Sequence, residues 1–205
     1  MTTALAQTNK PNLALMLRQA TTQAHKDLEQ APLLSRLLHQ DLSQDEYAEV
    51  LQTFYSFYQP LEPVLQDTAP YPYHSRSASL LLDLAELRQS PRQIVSSRFV
   101  EHLVHLPERR KELAAFATLY VIEGSTNGGE IISQRLQRTN PQLNAHFFNL
   151  WQQQPSGWQA WRQWSAEIEQ KIDLNPLKNS DLDFIITHAN ATFSELMHLF
   201  QSEKI

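Results

Sequence analysis

The 205-residue sequence contains no cysteine. Disulfide bonds, zinc–thiolate sites, iron–sulfur clusters and cysteine nucleophiles are therefore excluded. The absence fits a cytoplasmic protein, which is the location we predict. The N-terminal stretch MTTALAQTNKPN has neither the basic region nor the long apolar run of a secretory signal. Because no run of about 18 apolar residues occurs, we also expect no membrane-spanning helix.

Charge of either sign is not in large excess. The chain has 17 Lys and Arg residues against 22 Asp and Glu residues, a net charge of −5. Since a nucleic-acid-binding face normally needs a basic surplus, we expect no nucleic-acid partner. The length suits one domain with a substantial core and is short for two. We predict a poorly ordered tail over residues 1–11 and a single domain over residues 12–205.

Alternating strand patterns are nearly absent, whereas helical periodicity runs along most of the chain. Apolar residues recur at helical spacing from Asn12 onward. Ser43 and Glu46 form a capping-box pattern at the start of a long helix, which Pro60 and Pro63 are expected to kink or shift in register. Further helices are predicted at about 75–89, 91–104, 108–138, 157–172 and 179–202. The predicted fold class is all-α.

Glycine is scarce and unevenly distributed. Three of the four glycines lie in EGSTNGG, residues 123–129, inside the predicted helix 108–138. Each costs roughly 0.5–1 kcal/mol of helix stability relative to alanine. Gly124 and Gly128 share one face, and Gly129 widens the bare strip. Tight helix–helix packing is one explanation, but a flat, rigid ligand lying against the helix explains three glycines better.

A second candidate feature is a stripe on the first helix. Arg18, Thr21, His25 and Glu29 recur at spacings of three and four residues. His25 can bind a metal through one ring nitrogen while Glu29 accepts a hydrogen bond from the other, and Arg18 can meet an anionic group. The alternative is an ordinary surface His–Glu pair. Together with the glycines, the stripe suggests a flat anionic cofactor between two helices, with room for a small ligand such as dioxygen.

These motifs resemble those of heme oxygenase. LRQATTQAHKDLE followed by YVIEGSTNGGEII is most similar to the bacterial, phytochrome-associated branch that forms biliverdin, and the similarity in order and spacing covers nearly the whole chain. The resemblance implies a single-domain helical bundle with heme b between a proximal and a kinked distal helix. It also implies oxidation of heme to biliverdin, carbon monoxide and ferrous iron, using dioxygen. Electrons would come from a separate ferredoxin or flavodoxin, and a phytochrome apoprotein is a candidate recipient of biliverdin.

The resemblance also assigns roles to residues around the heme. His25 matches the axial iron ligand, and Glu29 matches the residue that orients it. Gly124, Gly128 and Gly129 match the distal glycines that approach the heme.

Other positions carry weaker assignments. Arg18 matches a basic position near the heme propionates, and Thr21 on the same stripe is predicted to contact the cofactor. Arg162 is the propionate candidate on a later helix, with simple surface exposure as the alternative.

Many relatives have an aspartate where this chain has Ser125. We predict that Ser125 orders the proton-delivering water beside Gly124 and Gly128, and Thr126 and Asn127 are further candidates for this role.

One further assignment concerns two tyrosines. Tyr55 and Tyr58 align with an aromatic pair of the family, and ordinary core packing is the alternative interpretation.

Several rival functions remain at this point. A heme carrier or sensor without turnover would share the fold. A di-iron enzyme would need more carboxylate and histidine ligands than Glu195 with His198 and the looser pair Glu101 and His105. A thiamine-cleaving enzyme of this scaffold would need a cysteine, and a helical adaptor would leave the glycines unexplained. The basic stretch PERRKE, residues 107–112, is either a solvated helix start or a docking site for an acidic electron donor.

Overall fold

The structure is a computed structural model that describes residues 12–94, 97–152, 157–173 and 179–201. The predicted tail over residues 1–11 lies outside these ranges. The helices are α1 (Leu13–Glu29), α2 (Pro32–Ser35), α3 (Gln44–Thr68), α4 (Arg76–Glu86), α5 (Arg98–Val104), α6 (Glu108–Thr139), α7 (Gly157–Asp173) and α8 (Asn179–Gln201), with short 3₁₀ helices at Arg36–Leu38 and Leu150–Gln152. The all-α prediction is confirmed.

Side-chain caps define where the longer helices begin. The Asn12 side chain accepts the Leu15 N–H at 2.9 Å at the start of α1. At the start of α3, Ser43 Oγ accepts the Glu46 N–H at 3.1 Å while Glu46 Oε2 accepts the Ser43 N–H at 2.9 Å, so the predicted capping box is confirmed. Each cap satisfies backbone donors that have no partner within the helix. Helix α3 continues through both of its prolines.

The connection between α4 and α5 differs from the prediction. Helix α5 begins at Arg98 rather than near residue 91, because the buried Gln52 side chain of α3 holds the preceding segment away from helical geometry. Gln52 Nε2 donates to the Ser90 carbonyl at 2.7 Å, and Gln52 Oε1 accepts the Arg92 N–H at 2.9 Å. Helix α4 ends at Glu86, and Arg88 follows in the left-handed conformation that commonly terminates helices.

The core is built around α6 and α8. Buried apolar side chains from α1, α3, α4, α6, α7 and α8 form one cluster, and α8 packs against both α1 and α6. Trp161 of α7 is fully buried and donates its indole N–H to the Phe116 carbonyl of α6 at 3.0 Å. Within the described residues, no helix combines the length and apolar character needed to cross a bilayer.

The basic stretch PERRKE has a structural role that neither interpretation anticipated. Arg109 Nη2 lies 2.8 Å from Asp181 Oδ2, and Arg110 Nη1 lies 3.4 Å from Asp181 Oδ1. The Asp181 side chain is buried, and the Arg110 guanidinium lies over the ring of Phe184, 4.6 Å from its centroid. These two arginines therefore join the start of α6 to the start of α8.

Candidate functional site

The three glycines of α6 have different surroundings. A Cβ added at Gly128 would meet nothing within 4 Å, whereas one at Gly124 would lie at an ordinary 3.8 Å from Trp158 Cζ3. A Cβ at Gly129 would come within 3.3 Å of the Phe148 carbonyl oxygen, which is tighter than usual. Close packing therefore explains Gly129, whereas Gly128 borders open space that a ligand can fill. The two explanations offered by the sequence apply to different residues.

Ser125 lies on the same exposed face of α6 as Gly128. Both residues are exposed and three positions apart, whereas Thr126 is partly buried and the Asn127 side chain lies outside the described structure. Ser125 Oγ donates to the Ile122 carbonyl at 2.7 Å. Because its proton is used in this way, its lone pairs remain as acceptors toward the open side.

Tyr58 of α3 reaches Ser125 from the protein interior. Burial raises the pKa of Tyr58 to about 12, although the nearby Arg76 and a side-chain interaction with Ser125 oppose the shift. The phenol is therefore protonated at neutral pH and can donate to the Ser125 hydroxyl. Tyr55, the other member of the predicted pair, is only partly buried.

On α1, His25 presents an exposed ring. Its side chain is 52% exposed, and its Nδ1 lies 3.5 Å from Glu29 Oε1, with the Glu29 side chain 64% exposed. The ring packs against Phe193 of α8 in a T-shaped arrangement, with 5.8 Å between ring centroids and 72° between ring planes. Among the described residues Nε2 has no partner. One ring nitrogen is thus close to a carboxylate while the other is available to a ligand.

Thr21 joins α1 to α6. Its buried hydroxyl donates to the Leu17 carbonyl at 2.7 Å and lies 3.5 Å from the Tyr120 hydroxyl. The hydroxyl is therefore used within the protein, and the contact between Thr21 and a cofactor stays a prediction. Sequence reasoning missed Tyr120, whose spacing of four from Gly124 placed it on the same face of α6.

The two candidate cations for the propionates are both exposed. Arg18 lies on α1, close enough to Tyr120 that its charge partly offsets the rise in the Tyr120 pKa caused by burial. Arg162 lies on α7, which is tied to the start of α1 because Glu169 Oε1 accepts the Leu13 N–H at 2.8 Å. The placement keeps both arginines available to an anionic ligand, although contact with the propionates stays a prediction.

The acidic and histidine side chains do not support the di-iron alternative. In the described part of the chain, the group with metal-ligand spacing is Asp83, Glu86 and His146. It contains no residue of the two Glu–His pairs considered for a di-iron site. Its atoms hold a loop in place. Asp83 accepts the backbone N–H groups of His146 and Phe147 at 2.7 and 2.9 Å, and Glu86 Oε1 lies 2.9 Å from His146 Nε2.

Comparisons with known proteins relate the chain to one family. The heme oxygenase family model matches residues 11–202. A heme oxygenase from Xanthomonas campestris pv. campestris (strain 8004) is 31% identical over 136 residues, which cover 62% of this chain and 74% of that protein.

Two solved structures are similar in fold. Heme oxygenase from Leptospira interrogans has a TM-score of 0.70 at 21% identity, over 94% of this chain and all of that one (100%). Heme oxygenase-1 from the cyanobacterium Synechocystis sp. PCC6803, in complex with heme, has a TM-score of 0.67 at 20% identity, over 93% of this chain and 91% of that one. The phytochrome-associated branch, the electron donor and the cytoplasmic location stay predictions. The family match over most of the chain shows that this protein belongs to the heme oxygenase family of enzymes.

Proposed function

We propose that this protein binds heme b between α1 and α6 and oxidises it to biliverdin, carbon monoxide and ferrous iron, using dioxygen and electrons from a separate donor. The observation that carries the proposal is the open space beside Gly128, on a helix joined through Tyr120 to the helix that bears the exposed His25. Bound heme would supply both the redox-active iron and the carbon skeleton that is cleaved.

The residues of α1 fit the proximal side. His25 would offer Nε2 as a neutral ligand, and Glu29 would accept a hydrogen bond from Nδ1–H and so fix the tautomer. Phe193 limits rotation of the ring by packing against it in a T-shaped arrangement. Arg18 and Arg162 would bind the propionate carboxylates, whose anchoring decides how the porphyrin is turned in its site.

The residues of α6 fit the distal side. Gly128 leaves the backbone uncovered, so that a flat ring can approach it, and Gly124 extends this strip beside Trp158. Ser125 would accept a hydrogen bond from a water molecule, because its own O–H group already donates to the Ile122 carbonyl. Tyr58 Oη, protonated at neutral pH, would donate to the Ser125 hydroxyl from the protein interior and so hold that hydroxyl in place.

Ser125 also motivates one alternative, a heme carrier or sensor without turnover. A hydroxyl cannot hold the negative charge of the aspartate that many relatives carry at this position. Such a protein would bind heme through the same residues and would leave it intact after reduction in air. The two functions therefore differ in the fate of bound heme rather than in its uptake.

An optical titration with hemin, followed by reduction in air, tests the proposal. We expect uptake of one heme per chain and then, with ascorbate or a reduced ferredoxin, loss of the Soret band and growth of a broad biliverdin absorption. A Soret band that persists with both reductants would favour the carrier or sensor. Absence of heme uptake would contradict both functions.

A further inference from the structure

A buried ion pair lies immediately behind the glycine strip of α6. Arg76 Nη2 of α4 lies 2.8 Å from Glu123 Oε2 of α6, and the two side chains are 7% and 4% exposed. Glu123 directly precedes Gly124. Two charges this far from water are stable only when their geometry and remaining hydrogen bonds are well satisfied. The resemblance to the family gave no role to either residue.

The surroundings of Arg76 hold it firmly. Its Nη1 donates to the His74 carbonyl at 3.2 Å, and its guanidinium lies over the rings of Tyr73 and Tyr58, 5.1 and 5.9 Å from their centroids. The buried Glu62 carboxylate of α3 accepts the Arg76 N–H at 2.5 Å. Contacts from α3 and α4 thus hold the Arg76 guanidinium in the position from which it binds Glu123.

Gly157, the first residue of α7, packs closely against the Glu123 carboxylate. A Cβ on Gly157 would lie 2.0 Å from Glu123 Oε2 and 2.4 Å from its Cδ, so any side chain at this position would force the carboxylate to move. The start of a helix favours a negative charge, because its N–H groups point outward without partners. Glu123 is therefore held between Arg76 on one side and the N-terminus of α7 on the other.

Two contacts connect this pair to the open face of α6. Trp158, the next residue of α7, approaches Gly124. Tyr58, whose ring lies beneath the Arg76 guanidinium, interacts with Ser125. The pair is thus connected through its neighbours to Gly124 and Ser125, the first residues of the exposed strip. The charged side chains of the pair are themselves buried and do not border the open space.

We propose that the Arg76–Glu123 pair, seated against Gly157, positions the Gly124–Ser125 segment relative to bound heme and so helps to select which meso carbon of the porphyrin is oxidised. Arg76, Glu123 and Gly157 are positioning residues that act through Trp158 and Tyr58. The inference rests on the proposed function, since it concerns the same site. A role in folding alone would predict lower stability with no change in the distal environment.

Two substitutions disturb the pair in different ways. Gly157→Ala keeps both charges and forces the carboxylate to move, whereas Glu123→Gln keeps the shape and removes one charge. Arg76→Met removes the positive charge and should disturb the distal geometry. Arg76→Lys retains the charge and should therefore keep part of that geometry. Asp181→Asn is the matched control, because it breaks another buried carboxylate–arginine contact, at the start of α8.

The readouts are fluoride affinity of the ferric heme complex and the isomer composition of the biliverdin formed, both measured well below the melting temperature. Fluoride reports hydrogen-bond donors above the iron and requires no turnover. We expect Gly157→Ala and Glu123→Gln to change the fluoride dissociation constant at least about threefold and to yield a second biliverdin isomer. Asp181→Asn should lower the melting temperature without either change.

Two outcomes would overturn the inference, and they are distinguishable. If the wild type binds heme while both pair variants match Asp181→Asn in fluoride affinity and isomer composition, the pair serves stability alone. If the wild type does not bind heme, the proposed function fails and this inference fails with it. Should Gly157→Ala not fold, Glu123→Gln still decides the question, because glutamine occupies the same volume as glutamate.

Discussion

The hydroxyl oxygens of Thr21 and Tyr120 lie 3.5 Å apart and join α1 to α6. His25 follows Thr21 by one helical turn, and Gly124 follows Tyr120 by one helical turn. The contact between Thr21 and Tyr120 therefore holds the His25 segment of α1 and the Gly124 segment of α6 close to each other, since each lies one turn beyond it. It also leaves the open space at Gly128 further along α6, one more turn beyond Gly124.

Gly128 and Gly129 should respond oppositely to larger side chains. We expect Gly128→Leu to keep or raise apoprotein stability, by up to about 1 kcal/mol, because glycine is a poor helix former and space is available. The same change should lower heme affinity at least about tenfold. Gly129→Ala should instead destabilise the apoprotein, because its Cβ would crowd the Phe148 carbonyl, whose loop is bound to the buried Asp83, by more than the gain in helix propensity offsets. Urea denaturation and hemin titration measure both quantities, and unchanged heme affinity in Gly128→Leu would contradict the site.

His25→Ala should remove the axial ligand with little effect on folding. Because the side chain is half exposed, we expect a change in the free energy of unfolding below about 0.5 kcal/mol. The optical and electron paramagnetic resonance spectra of the heme complex should change, and added imidazole should restore them. The comparably exposed His39, at 54%, gives the control His39→Ala, which should leave the spectra as in wild type. Identical spectra for His25→Ala and wild type would refute the ligand assignment.

His188 should make the protein less stable in mild acid. Burial lowers the pKa of His188 to about 4, with a smaller contribution from His102. The unfolded chain takes up this proton below about pH 6.5, so stability is fully present above that pH and is lost as pH falls toward 4. Between pH 7.5 and 5.0 the loss from this residue should be about 2 kcal/mol.

His188→Phe tests this expectation, because a phenyl ring can keep the stacking with Phe99 and Phe184 and has no nitrogen to protonate. It also removes Nε2, a buried atom that lacks a hydrogen-bond partner. Urea denaturation at pH 5.0 and 7.5 should show a smaller pH dependence in this variant, whereas the exposed His74→Gln variant should follow wild type. Equal pH dependence in His188→Phe and wild type would show that His188 does not titrate as described.

Asp83→Asn should destabilise the loop that supports Gly129. Asp83 accepts the N–H groups of His146 and Phe147 with different oxygens, and asparagine would turn an amide donor toward one of them. A buried donor left without an acceptor costs about 1–3 kcal/mol. Thermal unfolding should show this loss, and Glu86→Gln, which alters the exposed partner of His146, should cost much less. A smaller effect for Asp83→Asn than for Glu86→Gln would contradict this account.

Local patterns predicted the helices well where short-range chemistry determines them. Ser43 and Glu46 are three residues apart, and this spacing alone defines their reciprocal hydrogen bonds. The start of α5 was missed because Gln52, far away in sequence, binds the backbone at Ser90 and Arg92. Long-range contacts of this kind leave no periodic signal in the segment that they hold.

The candidate site could be predicted only where its residues share one helix. The spacing of His25 and Glu29 places them on one face, and the structure brings them within 3.5 Å. Glycine content alone could not separate Gly129, which packs against Phe148, from Gly128, which borders open space. The pairing of Arg76 with Glu123 joins α4 to α6 over 47 positions, so no local rule could have found it.

The burial of Arg76 and Glu123 has a consequence for the response to ionic strength. Mobile ions screen exposed charges over a Debye length of about 8 Å in physiological salt, but they screen a pair enclosed by protein far less. Added salt should therefore weaken the encounter with a charged reductant while the junction of α4, α6 and α7 keeps its geometry. Electron supply and ring orientation would then vary independently, so that salt could slow the reaction without changing which biliverdin isomer it yields.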